Sequence, residues 1–307
     1  MSVARDDFMR SLSGIREAIA LESVAQGATG SALAPGVLVL RRGILIAGLI
    51  ALETFVRDRT TEALGLLNRW PRSFDDLPAN LREAARLDAL SHLQQYAKML
   101  KRQGDDYESV LRFEIAKMGS GDGTALQFTK FVAGDYTGNV SDTGLKKLLS
   151  NLQVHDCWNT FRVLAADTGI GVPSVQELVK STVRKRHRSA HSAGYAPSAT
   201  EISALHSDLL CIALCFDVAV TASIEQSLAV PVEWAQGRTT WRSAVVLYIL
   251  KPFGTRFRLF KFERTRALRI VATPAEAKLH VPRPSAGLAA VLVQQDATGR
   301  PLSWDVL

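Results

Sequence analysis

The stretch Arg184-Lys-Arg-His-Arg-Ser-Ala-His191 gathers the residue types that move protons and hold phosphates. Arg186 precedes His191 by five positions and Arg184 precedes it by seven. Imidazole is the side chain that ordinarily titrates near neutrality, so His191 suits proton transfer to or from a reacting oxygen. A guanidinium is always charged and matches a phosphate fork. Together they make a minimal set for cleaving RNA without metal. The histidine deprotonates a ribose 2′-OH or protonates the departing 5′-oxygen, and Arg186 stabilises charge on pentacoordinate phosphorus.

The elements around this stretch are legible. Ser174-Val-Gln-Glu177, after Pro173, is a capping box that opens a helix with an apolar stripe at Val175, Val179 and Val183. Arg186 continues that stripe, where a guanidinium is costly unless a carboxylate or phosphate meets it. Ser198-Ala-Thr-Glu201, after Pro197, opens a second helix along Ile202, Leu205, Leu209, Ile212, Phe216 and Val220. A third helix spans Pro35 to about Asn68, apolar over much of its circumference and expected to run through the middle of the core. Glu53 is the one acid in its apolar stretch, and its cost predicts a place beside Arg186.

This arrangement resembles the R-x4–6-H motif of HEPN-superfamily ribonucleases, over roughly residues 35–230. Arg186 takes the place of the family arginine and His191 that of its histidine; Arg184 also fits, with a spacer of six. Leu52-Glu53-Thr-Phe-Val-Arg57 supplies the acid embedded in a long apolar helix. The chain departs from the common form at His187, where a polar residue such as Asn usually stands, and at Ser192, where a small residue, often Gly, is usual. The resemblance implies an antiparallel all-α bundle and a homodimer whose two motifs form one composite site. It also implies a toxin–antitoxin or antiviral-defence setting, with an antitoxin or defence protein as partner. Glu53, Arg184 and His187 become supporting residues of that site, and no metal or cofactor is called for.

Other combinations rank below it. Arg86/His92 repeats the spacing in mid-helix. Cys211 and Cys215, with His206 nearby, read as core thiols rather than metal ligands. His155-Asp-Cys157 lacks an oxyanion-hole turn, and Gly119-Ser-Gly-Asp-Gly123 lacks the Lys-Ser/Thr of a phosphate-binding loop, so it reads as a flexible loop.

The remainder is ordinary for a globular chain: 307 residues, 47% hydrophobic, 22% charged. That excludes collagen-like, low-complexity and disulfide-scaffold classes. Three cysteines point to a reducing compartment, and the apolar run Gly43 to Leu52 falls short of a membrane span, so a cytoplasmic protein with no membrane partner is expected. Charge is concentrated late. Between Arg238 and Arg283 eleven Lys/Arg face two Glu, a net +9 in a chain of +7, so the rest carries −2.

After Pro231 short β-branched and aromatic runs at 244–250, 256–263, 267–272, 278–281 and 288–294 alternate with Pro and Gly turns, which predicts strands. The expected organisation is a mainly α chain: a helical domain over 1–232, then a basic β-rich module over 233–307. Arg256, Arg258 and Lys261, interleaved with aromatics, read as RNA contacts together with Arg188 beside the motif. The functional expectation is a metal-independent endoribonuclease; the alternative is a non-catalytic RNA-binding or antitoxin-like protein.

Overall fold

Ser2 Oγ accepts a hydrogen bond from Arg5 N at 3.1 Å and so caps the first helix, α1 (Val3–Thr29). This computed structural model describes residues 2–31, 34–122, 126–134, 140–285 and 287–307. Of the described residues, 66% are helical. Helix α2 (Pro35–Leu66) starts on a proline, and a short 3-10 turn at Leu67–Arg69 ends it. Helix α3 (Ala79–Glu83) runs through a π segment at Ala84–Asp88 into α4 (Ala89–Gln103), followed by α5 (Tyr107–Met118), α6 (Asp142–Asn151) and α7 (Cys157–Asp167). Then come α8 (Val175–His191), α9 (Ala199–Ala229) and the short α10 (Pro231–Ala235).

Contacts along the helices give their directions. Arg41 reaches Pro197 O, and Arg59 reaches Asp217 and Thr221, so α2 and α9 run the same way. Glu22 pairs with Arg41 while Glu62 accepts from Ser2 and Ala4, so α1 runs opposite to α2. Helix α8 also opposes α2, since Glu53 senses Arg186 while Arg42 binds the backbone beyond the end of α8. Gly48 packs tightly against α9: a Cβ there would sit 3.0 Å from the side chains of both Leu205 and Leu209.

The central helix is α9, not α2. Every residue from Leu209 to Ile224 is buried, as the all-round apolar pattern of α9 demands. On α2 the inner faces are buried, but Val39 is 70% and Ile50 49% exposed, so the expected position of α2 in the middle of the core is corrected. Both helices are long and apolar enough to cross a membrane by length and composition alone.

Five strands follow in the order β3-β2-β1-β4-β5. Strand β1 (Val245–Phe253) is antiparallel to β2 (Arg256–Lys261) and parallel to β4 (Ala289–Gln295). Strand β3 (Arg269–Val271) extends one edge and β5 (Pro301–Val306) the other, both antiparallel to their neighbours. The crossover from β3 to β4 carries α11 (Pro274–His280). Thr273 Oγ1 caps it by accepting from Glu276 N, so the strand expected at 278–281 is instead mostly the end of a helix whose Thr-Pro-x-Glu start gives the signal.

One sheet face, with Leu247, Ile249, Val291, Val293 and Trp304, merges into the helical core. The other face, with Tyr248, Leu250, Leu259 and Leu292, packs with Ala277 of α11 in a small second core. At the far end of the sheet Gln295 Nε2 donates to Thr168 O at 2.8 Å. Gly169, at φ +92°, lies so close to the Gly299 carbonyl that a Cβ would collide with it.

Candidate active site at the end of helix α8

Helix α8 is positioned by its buried stripe, Val175, Val179, Thr182 and Ser189, and by Ser174 Oγ, which accepts from Glu177 N at 3.2 Å. At 3.6 residues per turn, Arg184, His187, Arg188 and His191 fall within about 100° of one another, on the side away from the stripe. All four are exposed. The His187 and His191 rings lie with centroids 4.8 Å apart and planes tilted by 48°. The Arg188 guanidinium lies 4.1 Å over the ring of Tyr195.

Arg186 is elsewhere. It lies about 140° around the helix from His191, on the core side. Its Nε is buried without a hydrogen-bond partner. Across the interface Glu53, itself buried, accepts from Val140 N at 3.1 Å. Burial pushes the Glu53 carboxyl above its ordinary range; the Val140 bond and the charges of Arg57 and Arg186 oppose that rise. Arg186 and Glu53 are thus coupled, but among the described residues no ion pair joins them. With respect to the exposed face, the helix aligns Arg184, not Arg186, with His191 two turns further on.

The loop behind the motif is fastened from three sides. Arg42 Nε donates to Tyr195 O at 2.8 Å, and Arg41 Nη1 donates to Pro197 O at 3.0 Å. Arg41 is itself buried against Glu22 at 2.6 Å. Tyr195 is buried, and its hydroxyl donates to Glu201 Oε1 at 3.0 Å. Burial, then this carboxylate partner, push the phenol up to about 12, so Tyr195 stays a neutral donor. Glu201 also closes the Ser198 capping box that starts α9, so the end of α8 and the start of α9 are locked together.

The basic residues of the sheet divide by strand alternation. Register pairs Lys251 with Arg258 and Phe253 with Arg256, all on one face of the protruding β1–β2 hairpin. Arg258 lies 3.5 Å over the Phe253 ring. Lys261 pairs with Tyr248 and points to the opposite face, on the side of α11. The structure therefore brings Arg256 and Arg258 together, separates Lys261 from them, and leaves Arg188 on α8.

The lesser combinations have structural occupations. His92 Nδ1 lies 3.0 Å from Phe131 O, and Arg86 stacks 4.5 Å over Phe74. Cys211 and Cys215 are buried, with the Cys215 thiol pushed up by burial and donating to Phe161 O at 3.5 Å. His155 Nε2 lies 2.9 Å from Gln153 Oε1, while Cys157 is buried. Residues 119–122 form a 3-10 turn after α5, and Gly123 lies outside the described residues. No group of three or more His, Cys, Asp or Glu able to hold a metal occurs among the described residues.

Two features escape sequence reasoning. One is the buried Arg5–Arg59–Asp217 network, whose only signal is two arginines and an acid placed at core positions of apolar helices. The other is an apolar groove of about 700 Å³ between α1 and α2, lined by Phe8, Ile15, Val39, Gly43, Ala47 and Ile50 among others. Comparison of the chain with family models, with curated proteins and with solved structures returned no match.

Proposed function

We propose that the chain is a metal-independent endoribonuclease of the HEPN type, acting in a toxin–antitoxin or antiviral-defence setting in the cytoplasm. One observation carries the reading: two arginines and two histidines share a single exposed face at a helix end that is locked to the next helix by Tyr195 and Glu201. Arginines there hold the scissile phosphate, and His191 transfers a proton to or from the ribose or the leaving oxygen. Arg186 sits behind that face and holds the end of α8 toward Glu53, as a positioning residue. The basic hairpin face of Lys251, Arg256 and Arg258, with Phe253, supplies phosphate contacts and a stacking ring for single-stranded RNA.

The outer face of α2 supports a homodimer. Leu40 and Ile50 are equidistant from residue 45, as are Gly43 and Ala47. In an antiparallel, isologous pair these residues meet large against large and small against small, which allows close approach. The inward turn of Arg186 favours a second reading, a non-catalytic RNA-binding or antitoxin-like protein. Expression separates the two. The nuclease reading expects wild-type expression to arrest growth and His191→Ala to relieve it. Growth unaffected by either, with RNA binding intact, supports the second.

A further inference from the structure

The pair of rings on the exposed face of α8 has more chemistry than one proton donor or acceptor. We infer that His187 and His191 of the same helix are the acid and the base of one cleavage site, with Arg184 and Arg188 holding the phosphate that both rings address. The inference rests on the ribonuclease reading and names a second proton-transfer residue within it.

Transesterification of RNA needs two proton transfers. The 2′-oxygen loses its proton to one group as it attacks phosphorus. The P–O5′ bond breaks as a second group protonates the departing 5′-oxygen. The products are a 2′,3′-cyclic phosphate and a 5′-hydroxyl, with one proton taken up and one given. A neutral imidazole and an imidazolium are the natural couple for this at neutral pH. His187 and His191, one turn apart with ring centroids at 4.8 Å, touch each other, so the two imidazoles stand side by side to meet the oxygens of one phosphate group. Their neighbours suit an anion. Arg184 stands three residues before His187 and Arg188 three before His191, so cation and imidazole alternate along the same face. From the other elements, Arg42 is occupied by the Tyr195 carbonyl, and Glu201 by the Tyr195 hydroxyl beneath Arg188. No carboxylate forms an ion pair with Arg184, Arg188, His187 or His191 among the described residues. Because both imidazoles belong to one helix, the chemistry is complete within a protomer, and dimerisation shapes the RNA path rather than supplying the second histidine.

The test compares wild type, His187→Ala and His191→Ala on a labelled single-stranded RNA. A second substrate carries sulfur in place of the bridging 5′-oxygen; thiolate leaves without a proton. Both positions are exposed, so folding should be unaffected, and circular dichroism checks this. Each variant should lose cleavage of the oxygen substrate by about 10²–10⁴-fold. The sulfur substrate should restore one variant and not the other, which identifies the acid. Mixing the two variants should restore nothing. His187→Ala cleaving within threefold of wild type, or mixed variants regaining activity, overturns the pair while leaving the ribonuclease reading intact. Wild type that cleaves neither substrate overturns that reading and the pair with it.

Discussion

Trp304 Nε1 donates to Asp217 Oδ2 at 2.7 Å, so the last strand of the sheet closes on a carboxylate inside the helical core. Asp217 is fully buried and also receives Arg59 and, at 3.5 Å, Arg5; Arg59 Nη2 goes on to Thr221 Oγ1 at 2.8 Å. One acid thereby joins α1, α2, α9 and β5. Removing it strands two buried guanidinium groups. Asp217→Ala should cost about 3–5 kcal/mol in urea unfolding. A loss under 1 kcal/mol contradicts the network's role. Because the sheet shares the helical core, wild-type helix and tryptophan signals should report a single transition.

Glu53 gives a pH-dependent stability of defined sign. Its carboxyl is raised above 4.5 by burial, so the folded protein prefers it protonated. That contribution is present in full below about 4.5 and is lost as pH rises through the folded value. Glu53→Gln keeps an oxygen for Val140 N and removes the titration. Wild type should therefore lose thermal stability relative to Glu53→Gln as pH rises from 4 to 7. Melting temperatures that run parallel across that range contradict the assignment.

Much of the fold is legible in the sequence because it follows periodicity and capping. The α8 and α9 starts at Ser174 and Ser198 obey their capping signals, and β1, β2 and β4 follow their β-branched or aromatic runs. Asn80 with Glu83 has the spacing of a capping box, yet Asn80 lies inside α3, whose N-cap is Pro78, while the capping box belongs to Ser73 and Asp76. Strand β5 is hidden because Pro301, Ser303 and Asp305 dilute its pattern, although Trp304 anchors it in the core. The sequence between 105 and 141 shows little clear periodicity; it holds α5 and a 3-10 turn at Lys130–Ala133, with 123–125 and 135–139 outside the described residues.

Of the site, residue types and the helix end are legible, but facing is not. Counting a spacer of four between Arg186 and His191 says nothing of the half-turn between them on a continuous helix. The burial that decides it comes from α2, far away in sequence.

The α2 face predicts the oligomeric state. Wild type should sediment as a dimer at micromolar concentration. Ile50→Glu places a charge on the exposed apolar face without touching the core, so it should give a folded monomer. A wild-type monomer, or a variant that remains dimeric, rules out this face as the interface.

The hairpin predicts a division among the basic residues. Neutralising Arg256 and Arg258 together should weaken RNA binding and lower the salt slope by up to about one unit for every phosphate that is no longer neutralised. Neutralising Lys261, on the opposite face, should change the slope by less. Equal effects from both faces argue against the hairpin face as the RNA path.

RNA cleavage without metal at this helix end is open to direct assay. The most direct measurement is cleavage of labelled single-stranded RNA by the purified chain in EDTA, beside His191→Ala with its RNA affinity measured in parallel. Wild type in EDTA should give a 2′,3′-cyclic phosphate product, and His191→Ala should lose cleavage with affinity kept within about tenfold. Cleavage that vanishes with EDTA, or that survives His191→Ala, contradicts metal-free catalysis by His191.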